Sequence, residues 1–267
     1  MMQNRKSDLI IENFGMDAAE PLHSPDTKTC ARMGFSVHHS VFGNHRCHTV
    51  VTGKLWKSPV DDRRRCIRLC ASLLREYLHS AGVCRNARIL CAGIGNPNLA
   101  PDAVGPKTCD RIVVTRGDRL LTELGFPEIS AVKPGVPSRT GLDTAEQIAL
   151  LAEHMDADLI LTVDSVAARA RERLQTVIQI TDYGMTPGSA LSHTASDIRQ
   201  ETMHRPVISI GVPMVIRADL VMLDDSFAEE PMFVTRAEAD EIADCYAGVI
   251  AGAVNLALSG NTEITDT

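Results

Sequence analysis

Arg88-Ile89-Leu90-Cys91-Ala92-Gly93-Ile94-Gly95-Asn96-Pro97-Asn98-Leu99-Ala100-Pro101-Asp102 is the stretch on which the reading of this chain turns. Its first seven residues form a short apolar run closed by glycines. That pattern predicts a strand buried on both faces, since a half-exposed strand would alternate with polar residues. The Gly/Asn/Pro loop over 95–101 ends it, and a helix is expected over 102–115. Strand, loop and helix in that order are the opening of a βαβ unit.

The same alternation continues outward. On the N-terminal side, Ser58-Pro59 reads as an N-cap followed by proline at the first helical position. Cys66/Ile67, Cys70, Leu73/Leu74 and Tyr77/Leu78 then recur at helical spacing, predicting an amphipathic helix over 59–79. On the C-terminal side, Ile129–Lys133 is a second strand, stopped by Pro134-Gly135, and Thr144–His154 a helix. Asp158–Val163 is a third strand; Thr176–Ile180 and Val207–Ile210 add two more. Thr235-Arg236-Ala237-Glu238 matches a capping box, opening a last helix with Ile242, Cys245/Tyr246, Val249/Ile250 and Ala253/Val254 on one face. Residues 1–55 read as irregular, with short strand-like pieces at Ser36-Val37 and Thr49-Val50-Val51. The expected class is α/β, a three-layer, mostly parallel sheet with helices on both faces. The expected organisation is an N-terminal segment (1–57), one α/β domain (58–260) and a short tail (261–267).

Composition narrows the function classes. The 267 residues are 44% apolar and 23% charged, with a net charge of −7, which suits an ordinary folded protein. No apolar run approaches the roughly 18–20 residues of a membrane helix. One Trp, three Tyr and six Phe give little aromatic surface for stacking bases, and the negative charge disfavours a phosphate backbone. Neither nucleic acid nor membrane is therefore expected as a partner. Eight cysteines at irregular spacing do not make a disulfide framework, so a reduced, cytoplasmic setting is the expectation. Charge is uneven: residues 41–90 hold ten Lys/Arg against three Asp/Glu, whereas 218–244 hold one against nine. Solvated faces are the ordinary explanation of such runs.

Two acids stand out by position. Asp102 closes the loop leaving the first strand, and Asp164 sits at the carboxyl end of the third, in Leu161-Thr162-Val163-Asp164-Ser165. Sites in open parallel sheets form outside the carboxyl ends of the strands. Two carboxylates brought together there would ionise unequally, so one could take a proton from water while the other protonates a leaving group. Ordinary structural roles compete with this reading: Asp102 as a helix N-cap, Asp164 as a turn cap. Gly93-x-Gly95 lacks the third glycine of a dinucleotide loop, position 98 being Asn. His38, His39, His45, Cys47 and His48 match no spacing of paired metal ligands, which favours structural or exposed histidines. The segment Gln179–Ser189 makes a long loop after a strand.

Several segments in order resemble the germination protease family of spore-forming bacteria. They are Gly93–Pro106, Val113-Val114-Thr115-Arg116, Pro134-Gly135-Val136 and Thr140-Gly141-Leu142-Asp143-Thr144. Val163–Arg169 with Glu172-Arg173, Ile178–Asp182 and Ile208–Pro213 follow. The resemblance implies an endopeptidase acting on small acid-soluble spore proteins during germination, with a phosphorylase/hydrolase-like fold shared with hydrogenase-maturation proteases. It assigns catalysis to Asp102 and Asp164 and substrate binding to Asn96, Gly135 and Asp182. It further implies a homo-oligomer in the spore core and a zymogen cleaved after Asp8, in Lys6-Ser7-Asp8-Leu9. No cofactor is implied, and metal dependence is open. The chain departs from the family at Pro97, where a Trp is usual, at Thr186, where a His is usual, and at Ala190–His193. It is also shorter than typical members between Leu220 and Phe233. The departures keep two alternatives in play: a non-catalytic sporulation relative with a binding or regulatory role, and a maturation-type, metal-sensing peptidase.

Overall fold

The computed structural model describes residues 27–84, 86–188, 196–222 and 232–259. The N-terminal half runs β1 (Lys28–Arg32), β2 (Phe35–Phe42), β3 (His45–Val51), α1 (Val60–Ser80), β4 (Arg88–Ile94), α2 (Val104–Cys109), α3 (Arg119–Glu123) and β5 (Glu128–Gly135). There follow α4 (Pro137–Thr140), α5 (Thr144–His154), β6 (Leu159–Ala168), β7 (Val177–Thr181), α6 (Gln200–Met203), β8 (Val207–Arg217), α7 (Ala218–Met222), β9 (Phe233–Val234) and α8 (Ala239–Leu258). The strands form one sheet in the order β1-β2-β3-β7-β8-β6-β4-β5, with β9 paired to β8.

The parallel part is the block β5-β4-β6-β8, and its chain order reverses between β4 and β6. From β4 the chain steps outward to β5; from β6 it steps the other way to β8. A crevice opens at such a switch point, because the connections leaving the two strands diverge. The remaining strands pair antiparallel.

Alternation along the central strands explains the three layers. Ile89 and Cys91 of β4 face a core built with Leu69, Leu73 and Tyr77 of α1 and Ile242, Tyr246 and Ile250 of α8. Leu90, Ala92 and Ile94 face the other way, onto Ala145, Ile148 and Ala152 of α5. Strands with both faces covered carry no polar alternation, which is why Arg88–Ile94 reads as a continuous apolar run. α5 begins where the sequence says: Asp143 accepts hydrogen bonds from the Ala145 and Glu146 N–H groups, satisfying two of the first-turn donors.

Five expectations are corrected. Residues 28–51 are not irregular but a three-stranded meander, extending the sheet through β3 and β7. Its loops are two-residue turns, Met33-Gly34 with φ of 51° and 84°, and Gly43-Asn44 with φ of 57° at Gly43. Positive φ at both central positions, or at the first, matches the twist of the paired strands. The helix predicted over 102–115 is a 3₁₀ turn, Ala100–Asp102, followed by the six-residue α2. Thr235 does not cap α8, which starts at Ala239; its hydroxyl donates to the Met214 carbonyl at 2.7 Å and accepts from Gln175 Nε2 at 2.8 Å. Ser58 does not cap α1 either, its hydroxyl donating to the Lys54 carbonyl instead. Finally, α8 is long and apolar enough to cross a membrane by length and composition. In the fold its apolar face lies in the core against α1, with Ile67 close to Gly252. Its outer side carries Asp240 and Asp244, paired to Lys107 and Arg111.

Candidate active site

The loop after β4 folds back across the end of β4 and the middle of β6, which runs on to Ala168, so that Asp164 lies within the strand and not at its carboxyl end as expected. Three glycines let the loop do so. A Cβ on Gly93 would stand 2.2 Å from the Gly105 carbonyl oxygen, and one on Gly105 would stand 2.2 Å from the Ile94 oxygen and 2.4 Å from the Val163 oxygen. Gly95, at φ 125°, packs as closely on the Asp102 backbone. The glycines of this loop thus serve backbone-to-backbone packing rather than a phosphate cradle. The result is that residues 102–105 rest on β4 and β6 together, and the Val104 N–H reaches Ser165 Oγ at 3.4 Å. Ser165 follows Asp164 directly, and Val104 lies two residues beyond Asp102. Both acids therefore belong to the switch-point end.

Their side chains are held by backbone amides. Asp102 Oδ2 accepts from the Asn96 N–H at 2.8 Å, so it clasps its own loop and does not cap α2, whose N-cap is Ala103. Asp164 is buried, 5% exposed, and its Oδ1 accepts from the Ser165 N–H at 2.7 Å. Burial raises the Asp102 carboxyl to about 6, against which the Asn96 N–H pulls downward. A partly buried carboxylate with no cation beside it among the described residues loses solvation that one amide only partly restores.

Of the other expected site residues, Asn96 and Gly135 share this end. Gly135 ends β5 beside Ile94, at φ 76°. The Asn96 side-chain oxygen accepts from the Asn98 N–H and from Arg139 Nη1, both at 3.0 Å. Asp182 lies elsewhere. β7 runs antiparallel to β8, with Gln179 opposite Gly211 and Thr181 opposite Ser209, so the end of β7 sits at the start of β8. There Asp182 accepts from the Arg46 N–H at 2.7 Å and faces His45 and Arg46 side chains. Ser165 and Arg139 were not singled out in the sequence. Ser165 directly follows a candidate acid, a signal that was available; Arg139 joins the loop through α4, and nothing local announces that contact.

The histidine cluster dissolves into separate roles. His39 Nδ1 and His48 Nε2 are 2.7 Å apart, and His48 Nδ1 meets the Tyr77 hydroxyl at 2.9 Å. Tyr77 donates to the Ile180 carbonyl, so His48 Nδ1 carries the proton and Nε2 accepts from His39. Burial, with the neighbouring His39, lowers the buried His48 to about 4. His38 instead meets Thr29, and His45 faces Asp182. Among the described residues no group of three or more His, Cys, Asp or Glu is arranged to hold a metal ion. The processing point expected after Asp8, the Ala190–His193 departure and most of the 220–233 difference lie outside the described residues.

Fold and geometry define a three-layer α/β protein with two acids at the switch point of its parallel strands. Residues 43–228 match the model of the germination protease family, Peptidase_A25. The chain belongs to that family. It is 37% identical over 161 residues to a protein named germination protease from Bacillus cereus (strain G9842), covering 59% of this chain and 44% of that one. Against the Bacillus cytotoxicus protein of the same name the identity is 37% over 166 residues, covering 61% and 45%. The chain thus matches less than half the length of these relatives. A solved structure titled as the [NiFe] hydrogenase maturation protease HycI from Thermococcus kodakarensis KOD1 is similar at 19% identity and a TM-score of 0.40, over 68% of this chain and 98% of that one.

Proposed function

We propose that the chain is an endopeptidase that cleaves small acid-soluble spore proteins during germination, with Asp102 and Asp164 as its catalytic acids. The observation that carries this is the position of both acids at the switch point, Asp164 within β6 one residue past the Val163 that pairs with Gly93 of β4, and Asp102 on the loop leaving β4, bridged by Val104 and Ser165. Amide hydrolysis needs a base to take a proton from the attacking water and an acid to protonate the departing nitrogen. A carboxyl group titrating near 6 is mostly ionised at neutral pH, yet about a hundredfold more basic than an ordinary aspartate. That suits Asp102 to the base. It would draw the proton as water adds to the scissile carbonyl, and Asp164 would then deliver a proton to the amine as the C–N bond breaks. Asn96 and Gly135 border the same end and would bind the substrate backbone. Asp182 stands at the other end of the sheet and is given no part in this step. Family membership, and relatives named germination protease, support the spore setting and the substrate class.

The test is cleavage of a purified acid-soluble spore protein, followed by mass spectrometry. Asp102→Asn and Asp164→Asn should each lower kcat/KM by about 10²–10⁴. The rate should rise with pH through a midpoint near 6, and Asp102→Asn should erase that limb. Undiminished cleavage by both variants overturns the proposal. Binding without cleavage by the unaltered chain would make it a non-catalytic relative, a reading favoured by its matching under half of its relatives' length.

A further inference from the structure

At the end of the sheet opposite Asp102 and Asp164, a cavity of about 630 Å³ opens where β3, β7, α1, α6 and β8 meet. Its wall includes Val207 at the start of β8, four residues before the Gly211 that pairs with Asp164. At about 3.3 Å per residue that places it some 13 Å away along the strand.

Its polar groups fall into two sets of opposite sign. Arg46 is pinned from behind: Asp182 accepts its backbone N–H at 2.7 Å and its Nε at 3.5 Å, and the guanidinium carbon lies 4.8 Å over the Tyr77 ring. These contacts use one edge and one face of the guanidinium. Its two terminal nitrogens have no partner among the described residues, and a fork of that kind matches a carboxylate. Glu201 of α6 lines the same cavity and also lacks a partner among the described residues. Asn44 and Gln200 line it as well. With Asp182 and Glu201 set against Arg46, the cavity does not favour a bare anion, and a bare cation would leave the Arg46 fork unused. A ligand carrying both charges suits both groups.

We propose that this cavity binds a small zwitterion, an amino acid or short peptide, with its carboxylate on Arg46 and its ammonium group on Glu201. The volume is that of an ordinary small-molecule site and accommodates a few residues. The site is separate from the peptidase cleft, so its occupancy is independent of whether Asp102 and Asp164 perform catalysis.

The experiment is calorimetric titration of the full chain with a panel of free L-amino acids, with Ala-Ala, and with Ala-Ala blocked as its N-acetyl or C-amide form. Ala-Ala or an amino acid should bind, and each blocked form should bind at least about tenfold more weakly. Arg46→Gln should abolish the preference for a free carboxylate. Glu201→Gln, on an exposed position of α6, leaves the fold intact and should make Ala-Ala and its N-acetyl form bind alike. No binding by any of them at about 10 mM, equal binding of free and blocked forms, or an unchanged preference in Glu201→Gln would each overturn the proposal.

Discussion

The two ends of the parallel strands are built on opposite principles. At the switch-point end the chain packs backbone on backbone through Gly93, Gly95 and Gly105, and among the described residues Asp102 receives one amide and no cation. At the other end Asp182 meets the side chains of His45 and Arg46, and the space around them is an open polar cavity. One carboxylate is raised to about 6 by burial, a state suited to moving protons. The other is compensated by a guanidinium, a state suited to holding charge in place. Tight backbone packing at Gly95 draws the Asp102 carboxyl partly out of water, which is what permits the first arrangement.

The largest expected effect comes from disturbing that packing. In Gly105→Ala the new methyl group would meet the Ile94 oxygen and nitrogen and the Val163 oxygen at 2.2–2.6 Å, all of them backbone atoms of central strands. No side chain can swing aside, so the strands or α2 must move. We expect a loss of about 3 kcal/mol or more, above the usual cost of overpacking, read as a lower urea midpoint. A loss below about 1 kcal/mol would mean that the loop shifts easily and that the contrast between the ends is overstated.

A smaller effect isolates the uncompensated carboxyl group. The folded-state value for Asp102 is about 6, above its unfolded value near 4. The folded protein therefore holds this proton more tightly. The associated stability is complete below about pH 4 and is lost as pH rises through about 6. Asp102→Asn keeps an acceptor for the Asn96 N–H and carries no charge. Relative to the unaltered chain it should be more stable at pH 8 than at pH 4 by about 1–3 kcal/mol, measured by urea denaturation at both values. A difference independent of pH would show that the carboxyl group is solvated and that the switch-point end is not the desolvated one.

How much of this was legible in the sequence follows from where each determinant lies. Arg88–Ile94 and Thr144–His154 carried their own signals, a doubly buried apolar run and an Asp143 cap, and the structure has both within a residue. β2 and β3 showed only as the fragments Ser36-Val37 and Thr49–Val51, and β1 not at all, because His, Ser and Thr interrupt the apolar residues and β7, the partner of β3, lies over a hundred residues away. The Thr235 motif misled because the hydroxyl found buried partners, Met214 and Gln175, that local spacing cannot show. Asp102 and Asp164 could be picked out by their place after the apolar runs, although β6 continues past Asp164 to Ala168. Asp182 could not be assigned to an end without knowing that β7 runs antiparallel to β8. Strand direction is a tertiary fact, and it separates the three acids into two sites.

The smallest effect tests the compensated end. Asp182 is about a quarter exposed, 27%, as is the Arg46 side chain facing it. In Asp182→Asn the side-chain oxygen can still accept the Arg46 N–H, so the structural hydrogen bond survives and only the charge is lost. Ion pairs at this exposure contribute about 0–1 kcal/mol, and salt screens them. We expect Asp182→Asn to cost no more than about 1 kcal/mol at low salt and less at high salt, by the same urea titration. A loss as large as that of Gly105→Ala would reverse the comparison, making the His45–Arg46–Asp182 cluster a support of the sheet end and not an open pair beside a cavity.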